Sequence, residues 1–199
     1  MDIVELLFTQ PITRIDSSCF ERSEIKSITI PSSVIEIGDR AFGECSDLKS
    51  IIISSSVKRI GKSCFINCTD LCDVVLKAQI TEIESCFFKE CISLKKLVVP
   101  PSVTKIDANA FYGCSSLTEI SIPSSVKEIG SFAFCGCLKL ESFEIPNIRI
   151  IGKNTFEGCA SLLKIVIPPS VVSIRAYAFL DCCSLMEISF SNSVISIGD

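Results

Sequence analysis

A phenylalanine recurs along this chain every 22 or 23 residues, and no other feature constrains the fold as much. The register comprises Phe20, Phe42, Phe65, Phe88, Phe111, Phe134, Phe156 and Phe179. A cysteine follows three residues after seven of these eight positions, at Cys45, Cys68, Cys91, Cys114, Cys137, Cys159 and Cys182. A unit of about 23 residues cannot bury its own apolar face. The period therefore predicts a solenoid in which stacked repeats share one continuous core.

Each period reads L-x-x-I-x-I-P-x-S-V-x-x-I-G-x-x-A-F-x-x-C-x-x. The I-x-I alternation predicts a short strand that ends at the proline, and about nine such strands stack in parallel. The first of the nine would contain Ile3, Leu6 and Phe8. S-V-x-x-I-G predicts a second extended segment whose glycine supplies the backbone angle that turns the chain, and A-F-x-x-C predicts a short helical turn. We expect one solenoid domain over residues 1–199, with both ends inside a repeat and without caps.

This cycle resembles the BspA-like (Treponema pallidum-type) class of leucine-rich repeats, and the resemblance covers essentially the whole chain. Departures are local: residues 77–80 read K-A-Q-I instead of P-S-S-V, Ser54 replaces the proline, and Glu84, Asp107 and Arg175 replace the glycine. These are loop positions, so we expect every repeat to form. The resemblance implies a curved solenoid with a parallel sheet along one face, a surface-displayed binding or adhesion protein, and no catalytic residues.

Composition excludes several functional classes. The net charge of −4 and the pI near 5.0 argue against a nucleic-acid surface. No apolar run approaches the ~20 residues of a membrane helix, so we expect no membrane insertion. The chain has no histidine, which removes the commonest general base and metal ligand. We therefore expect no enzymatic activity, no cofactor and no metal.

The cysteines allow three interpretations. Cys64, Cys68 and Cys72, and separately Cys135 and Cys137, have spacings that could indicate zinc, but alignment by repeat points the first three in different directions. The seven cysteines of the period would stack with parallel Cβ vectors, a poor geometry for disulfides. We favour a structural ladder of buried free thiols that pack as small apolar groups. Disulfides and zinc are the alternatives.

Three further motifs have ordinary explanations. Residues 59–63 (R-I-G-K-S) end like a phosphate-binding loop but lack its strand–loop–helix context. Asn67-Cys68-Thr69 matches a glycosylation sequon, yet Asn67 adjoins a ladder cysteine. Glu36, Glu82 and Glu128 recur at one outward position, where we expect a solvated row of acids.

The outward position within I-x-I is the best candidate for a binding site. Three consecutive repeats place Ile52, Val75 and Val98 there, which predicts an apolar patch on the sheet. Charged residues of neighbouring columns form its expected rim: Lys49, Lys95, Lys96, Glu119, Glu141 and Glu144. An apolar patch with a charged rim is typical of an interaction site. The alternative is that β-branched residues simply favour strands.

These observations predict a non-enzymatic module that binds a protein or a glycan on its strand-lined face, in the manner of a surface adhesin. The alternative is an intracellular interaction scaffold or assembly subunit. The family resemblance favours the cell surface, whereas the lack of a basic signal-peptide segment and the expected reduced cysteines favour the cytoplasm. Self-association, through exposed terminal strands or through the apolar patch, is an additional hypothesis.

Overall fold

The computed structural model describes residues 11–198, in which sixteen short strands and no helix are present. Each described repeat forms one rung, and most rungs have two strands. The strands of the I-x-I segment define the first strand face: β2 (Ser27–Thr29), β4 (Ser50–Ile53), β6 (Asp73–Leu76), β8 (Lys96–Val98), β10 (Glu119–Ser121), β13 (Lys164–Val166) and β15 (Glu187–Ser189). The strands of the S-V-x-x-I segment define the second strand face: β1 (Arg14–Ile15), β3 (Glu36–Ile37), β5 (Arg59–Ile60), β7 (Glu82–Ile83), β9 (Lys105–Ile106), β11 (Glu128–Ile129), β12 (Ile150–Ile151), β14 (Ser173–Ile174) and β16 (Ser196–Ile197).

All strand pairs are parallel and join consecutive rungs, which confirms the predicted solenoid. On the first strand face, the described residues contain seven strands and an isolated bridge between Ser142 and Lys164. The strand expected at Ile3, Leu6 and Phe8 lies outside the described residues.

The phenylalanines of the period form a continuous stack through the core. Consecutive rings lie 5.2–5.7 Å apart, centre to centre, with interplanar angles of 3–24°. Offset stacking of this kind adds about 0.5–1.5 kcal/mol per pair beyond the burial of area. The stack runs beside the third side of each rung. The A-F-x-x-C segment forms this side, which we call the turn side.

The helical turn expected for A-F-x-x-C is wrong. This segment is a series of tight turns with two left-handed residues per rung, such as Arg40 (φ 53°) and Glu44 (φ 58°). The amide groups of Arg40, Phe42 and Glu44 bond to carbonyls of the following rung, at 2.7–3.0 Å. A helix would direct all of these groups along its own axis. The turn side therefore joins the rungs as the strands do.

In the rungs of Gly38 and Gly130 the repeat glycine is required by a close approach and not, as we expected, by its own backbone angle. A Cβ atom at Gly38 would lie 2.4 Å from the amide nitrogen of Ser17, and one at Gly130 would lie 2.5 Å from that of Ala108. Neither glycine has a left-handed φ. Each rung passes so close to the preceding backbone here that a side chain would push the two apart.

Both strand faces are interrupted twice, whereas the turn side is continuous. β6 does not pair with β8, and β5 does not pair with β7. A second interruption separates β10 and β11 from the rung of β12. The turn side bridges both gaps, through the amide of Phe65 to the carbonyl of Phe87 and the amide of Phe134 to that of Thr155.

The two interruptions coincide with departures from the P-x-S-V turn. In ordinary rungs this turn closes with a bond such as that from the Val34 amide to the Pro31 carbonyl, at 3.0 Å, and Ser54 supports the same bond. Residues 77–80 lack this bond. Instead, the backbone N–H groups of Lys77 and Gln79 donate to backbone carbonyls of the preceding rung. The other exceptional rung has the shorter sequence P-N-I at residues 146–148. Within residues 11–198 every repeat forms, as expected, but these two alter the strand pairing.

Candidate functional site

The seven ladder cysteines are buried or half-buried, and each thiol makes the equivalent hydrogen bond. Each Sγ donates to the carbonyl oxygen of the phenylalanine in the preceding rung, over 2.9–3.3 Å. Burial raises the pKa of the Cys91 and Cys137 thiols well above their usual range and that of Cys182 to about 11. A thiol held in its protonated form is a poor nucleophile and a poor metal ligand. Burial and this hydrogen bond support the structural role predicted for the ladder.

The zinc alternative has no support from the geometry. Cys64 and Cys68 are buried in the core, whereas Cys72 is exposed on the first strand face. The thiol of Cys135 contacts Glu157 at 3.5 Å, while that of Cys137 donates to the Phe111 carbonyl. Over residues 11–198, no group of three or more histidine, cysteine, aspartate or glutamate side chains has the arrangement of a metal site.

The other two motifs occupy ordinary positions in the rung. Arg59 and Ile60 form β5, and the Gly61 that follows packs against Asp39 instead of opening a helix. Asn67 is a left-handed residue of the turn side, and its backbone N–H donates to the Lys89 carbonyl.

The expected row of acids on the second strand face is wrong, because basic residues alternate with it. Arg59 donates to Glu36 at 2.8 Å, and Lys105 lies 4.0 Å from Glu82. The sequence contains this signal, since the column reads Arg14, Glu36, Arg59, Glu82, Lys105 and Glu128. Opposite charges on adjacent strands stabilise the pairing by about 0.2–1 kcal/mol each.

The three apolar residues of the expected patch all lie on the first strand face. Ile52 and Val75 are directly paired neighbours in β4 and β6. Val98 occupies the same position in β8 and pairs with Ser121 of β10. Val98 is 71% exposed and Ile52 is 41% exposed, whereas Val75 is half-buried.

A groove of about 1220 Å³ lies where β6 and β8 fail to pair. We call it the apolar groove. Val75 and Val98 line it from its two sides, together with Leu76, Leu97 and the consecutive prolines at 100 and 101. Ile52 lies outside this lining. The sequence predicted the patch but not the groove, because the groove depends on the missing strand pairing.

The expected charged rim divides into two groups. Lys95, Lys96 and Glu119 line the apolar groove, and the Lys96 ammonium lies 2.7 Å from the Glu119 carboxylate. Their hydrogen bond raises the pKa of Lys96. The remaining three residues do not line the groove: Lys49, Glu141 and Glu144.

Sequence reasoning missed three other parts of the groove wall. Cys72 and Lys77 are exposed, and Gln79 follows in the exceptional connection after β6. The departure of residues 77–80 from P-S-S-V was the available signal for this wall. The sequence does not show whether this departure prevents the neighbouring strands from pairing, and the groove depends on that.

The fold defines a leucine-rich repeat solenoid, and comparison with known families agrees. The BspA type leucine rich repeat region (6 copies) matches residues 2–118 and 104–199. The chain belongs to this family. Leucine-rich repeat proteins are in general non-enzymatic, and membership suggests a protein-binding module.

Solved structures of the same class resemble the chain. A T. pallidum leucine-rich repeat protein matches with a TM-score of 0.64 and 26% identity, over 93% of this chain and 77% of that one. A leucine-rich repeat protein from Bacteroides ovatus matches with a TM-score of 0.45 and 22% identity, over 94% and 78% of the two chains. No curated protein matches the chain.

Proposed function

We propose that the chain is a non-enzymatic binding module that holds a segment of a partner protein in the apolar groove. The observation that carries this proposal is Val98, whose side chain is 71% exposed at the edge of a groove lined by further apolar residues. Covering such a side chain stabilises a complex through the hydrophobic effect, by up to about 1.5–3 kcal/mol for full burial. The groove therefore offers an anchor point for an apolar side chain of a partner.

The lining favours a protein segment over a glycan. Aliphatic side chains and two prolines make up much of its lining, and no aromatic residue is among the described residues that line it. The aliphatic part of the lining suits the apolar side chains of a peptide, whereas the hydroxyl groups of a sugar would lose water against it. The adjacent Lys96–Glu119 pair and Lys95 supply the polar rim that surrounds such anchors in protein interfaces.

The test compares two matched valines on the first strand face. Val98→Asp places a charge in the apolar groove, and Val166→Asp places the same charge at an equally outward position of β13, where the side chain is 60% exposed. Peptides would be selected on the unaltered chain from a random display library, and their affinities would be measured for all three proteins. We expect apolar peptides that lose at least about tenfold in affinity with Val98→Asp, about 1.4 kcal/mol, and little with Val166→Asp.

Three results would contradict this function. One is a selection that yields no apolar peptides, and another is an equal loss in both variants. The third is preferential binding of neutral oligosaccharides in a glycan array, which would replace the protein partner by a glycan. Light scattering provides an independent test. If the chain forms a dimer and Val98→Asp dissociates it, the occupant of the apolar groove is a second copy of the chain.

Two cellular settings fit this module, a surface adhesin and an intracellular scaffold. The scaffold is favoured by Cys19, Cys72 and Cys183, whose thiols are free and exposed, as suits a reducing compartment. Antibody labelling of intact and permeabilised source cells separates the two. Labelling of intact cells supports the adhesin, and labelling only after permeabilisation supports the scaffold.

A further inference from the structure

A second groove, of about 1090 Å³, lies on the second strand face and differs from the apolar groove in its charge. It extends from β7 to β16, and we call it the charged groove. Five cationic side chains line it, namely Lys105, Lys127, Arg149, Lys153 and Arg175. Three acids join them: Glu82, Asp107 and Glu128. This surface thus has a positive excess on a chain whose net charge is −4.

The two signs are separated along the solenoid axis. All three acids belong to the rungs of β7, β9 and β11, and Lys105 is held among them, 4.0 Å from Glu82 and 3.6 Å from Asp107. Arg149, Lys153 and Arg175 belong to the next two rungs. The groove therefore has an acidic end, where Lys105 and Lys127 lie among the three acids, and a basic end without acids.

The basic end lacks the charge pairing that neutralises the rest of this face. Earlier in the column, each base faces an acid on the adjacent strand, as Arg59 faces Glu36. From β12 onward the same column contains Ile150, Ser173 and Ser196. Among residues 11–198, no carboxylate lies within 4.0 Å of the Arg149, Lys153 or Arg175 side chain.

The floor of the basic end is small and partly apolar. Gly152 and Ala176 line it without a long side chain, and Ile150, which follows Arg149 in the same rung, is 40% exposed. Lys127 completes the cationic wall; its ammonium donates to the Ser124 carbonyl at 2.9 Å. Paired rungs are about 4.8 Å apart, so two or three residues of extended chain laid along the solenoid axis would pass both the rung of β12 and the rung of β14.

We propose that the charged groove is a second docking site, which binds an extended acidic peptide segment of a partner protein. Two or more carboxylates within about four residues would meet the cations of the basic end. An apolar residue among them would cover Ile150, and a basic residue would face Glu82 and Glu128. The acidic end repels a uniformly anionic polymer, so the separation of charge favours a peptide over a sulfated polysaccharide or a nucleic acid.

The test uses the whole chain and a pair of charge-matched variants. Arg149→Gln with Arg175→Gln removes two charges from the basic end. Lys139→Gln with Lys164→Gln removes two charges from exposed positions outside both grooves. Peptides from a random display library would be selected on the unaltered chain, synthesised with a fluorescent label, and titrated by anisotropy at about 50 and about 300 mM NaCl.

We expect the selection to enrich peptides with clustered aspartate and glutamate, and their affinity to fall as salt rises. The paired arginine variant should weaken them about tenfold, and the paired lysine variant less than about twofold. Val98→Asp should leave them unchanged, so a failure here is distinct from a failure at the apolar groove.

Three outcomes would overturn the proposal. They are a selection without acidic enrichment, an equal loss of affinity in both paired variants, and heparin or single-stranded DNA binding more tightly than the best acidic peptide.

Discussion

The thiol of Cys68 donates a hydrogen bond to the backbone carbonyl of Phe42, 3.0 Å away in the preceding rung. The same relationship recurs along the ladder, so cysteine does more here than fill volume. It is a small side chain that is apolar enough for the core and can still reach a carbonyl of its neighbour.

The first prediction concerns one member of this ladder. Cys91 is buried and donates to the Phe65 carbonyl at 3.0 Å. Cys91→Ala should lower the free energy of unfolding by about 1–2 kcal/mol, through the lost bond and the cavity. Cys72→Ala, at an exposed cysteine, should change it by less than about 0.5 kcal/mol. Urea unfolding measures both, and equal losses would refute a structural role for the ladder.

Cys91→Ser separates the hydrogen bond from the packing. The serine hydroxyl keeps a donor but loses volume, so its cost should fall below that of Cys91→Ala if the bond matters. A serine variant that is less stable than the alanine variant would show that apolar packing dominates at this position.

A second prediction concerns thiol reactivity. In the native protein, a disulfide reagent such as Ellman's should react rapidly with the exposed Cys19, Cys72 and Cys183. The buried ladder should react only as the chain unfolds, because burial raises the pKa of its thiols and keeps them protonated. Titration after unfolding without reductant should approach thirteen thiols. A count near one or three would mean that disulfides had formed.

The third prediction is a loss of stability at alkaline pH. Thiols in the unfolded chain ionise near their ordinary value of about 8.5, whereas burial raises the pKa of Cys182 to about 11 in the folded chain. Between these values the folded state binds more protons, so stability is fully present below about pH 8.5 and falls as the pH rises. Thermal unfolding from about pH 7 to pH 10 should show a falling midpoint. Cys91→Ala should flatten that fall.

The fourth prediction is that repairing the exceptional turn closes the apolar groove. Lys77→Pro, Ala78→Ser, Gln79→Ser and Ile80→Val restore the common P-S-S-V sequence. We expect β6 and β8 to pair, so that amide exchange in β8 slows by about tenfold and apolar peptides bind more weakly. Ser54→Pro is the control, because the turn already forms in that rung. Unchanged exchange in the repaired chain would mean that the turn does not cause the gap.

The fifth prediction distinguishes two glycines. Gly130→Ala places a methyl group 2.5 Å from the Ala108 nitrogen, and we expect a loss of more than about 2 kcal/mol in unfolding free energy. Gly43→Ala meets nothing closer than 3.3 Å and has ordinary backbone angles, so it should be neutral or slightly stabilising. Comparable losses in the two variants would show that loss of glycine flexibility, and not contact, sets the cost.

The solenoid, its period and the inward columns could be read from the sequence, because a repeat that recurs every 22 or 23 residues leaves little freedom in stacking. The patch at Ile52, Val75 and Val98 followed from the same alignment. The left-handed turns did not, since Arg40, Phe132 and Tyr177 are not residue types that favour positive φ. The stacking of rungs imposes that conformation on them.

The apolar groove could not be predicted from the sequence for a different reason. An alignment by repeat shows that residues 77–80 depart from the common turn, but strand pairing is a property of two rungs together. The charged groove was easier to predict, because one column of the repeat contains its signal. In that column Arg59 alternates with Glu36 and Glu82, and the alternation of charges stops at Ile150. Considering the acids of that column without its bases concealed the pattern.

The continuity of the turn side has a mechanical consequence. Phenylalanine rings, thiols and backbone bonds run unbroken along one edge, whereas both strand faces are divided into three blocks. We expect bending of such a body to be concentrated at the two gaps, with the continuous edge as the axis. A segment seated between Val75 and Val98 touches two blocks at once. Such a segment would hold the two blocks together, and its affinity would include the entropy lost when the blocks are fixed against each other.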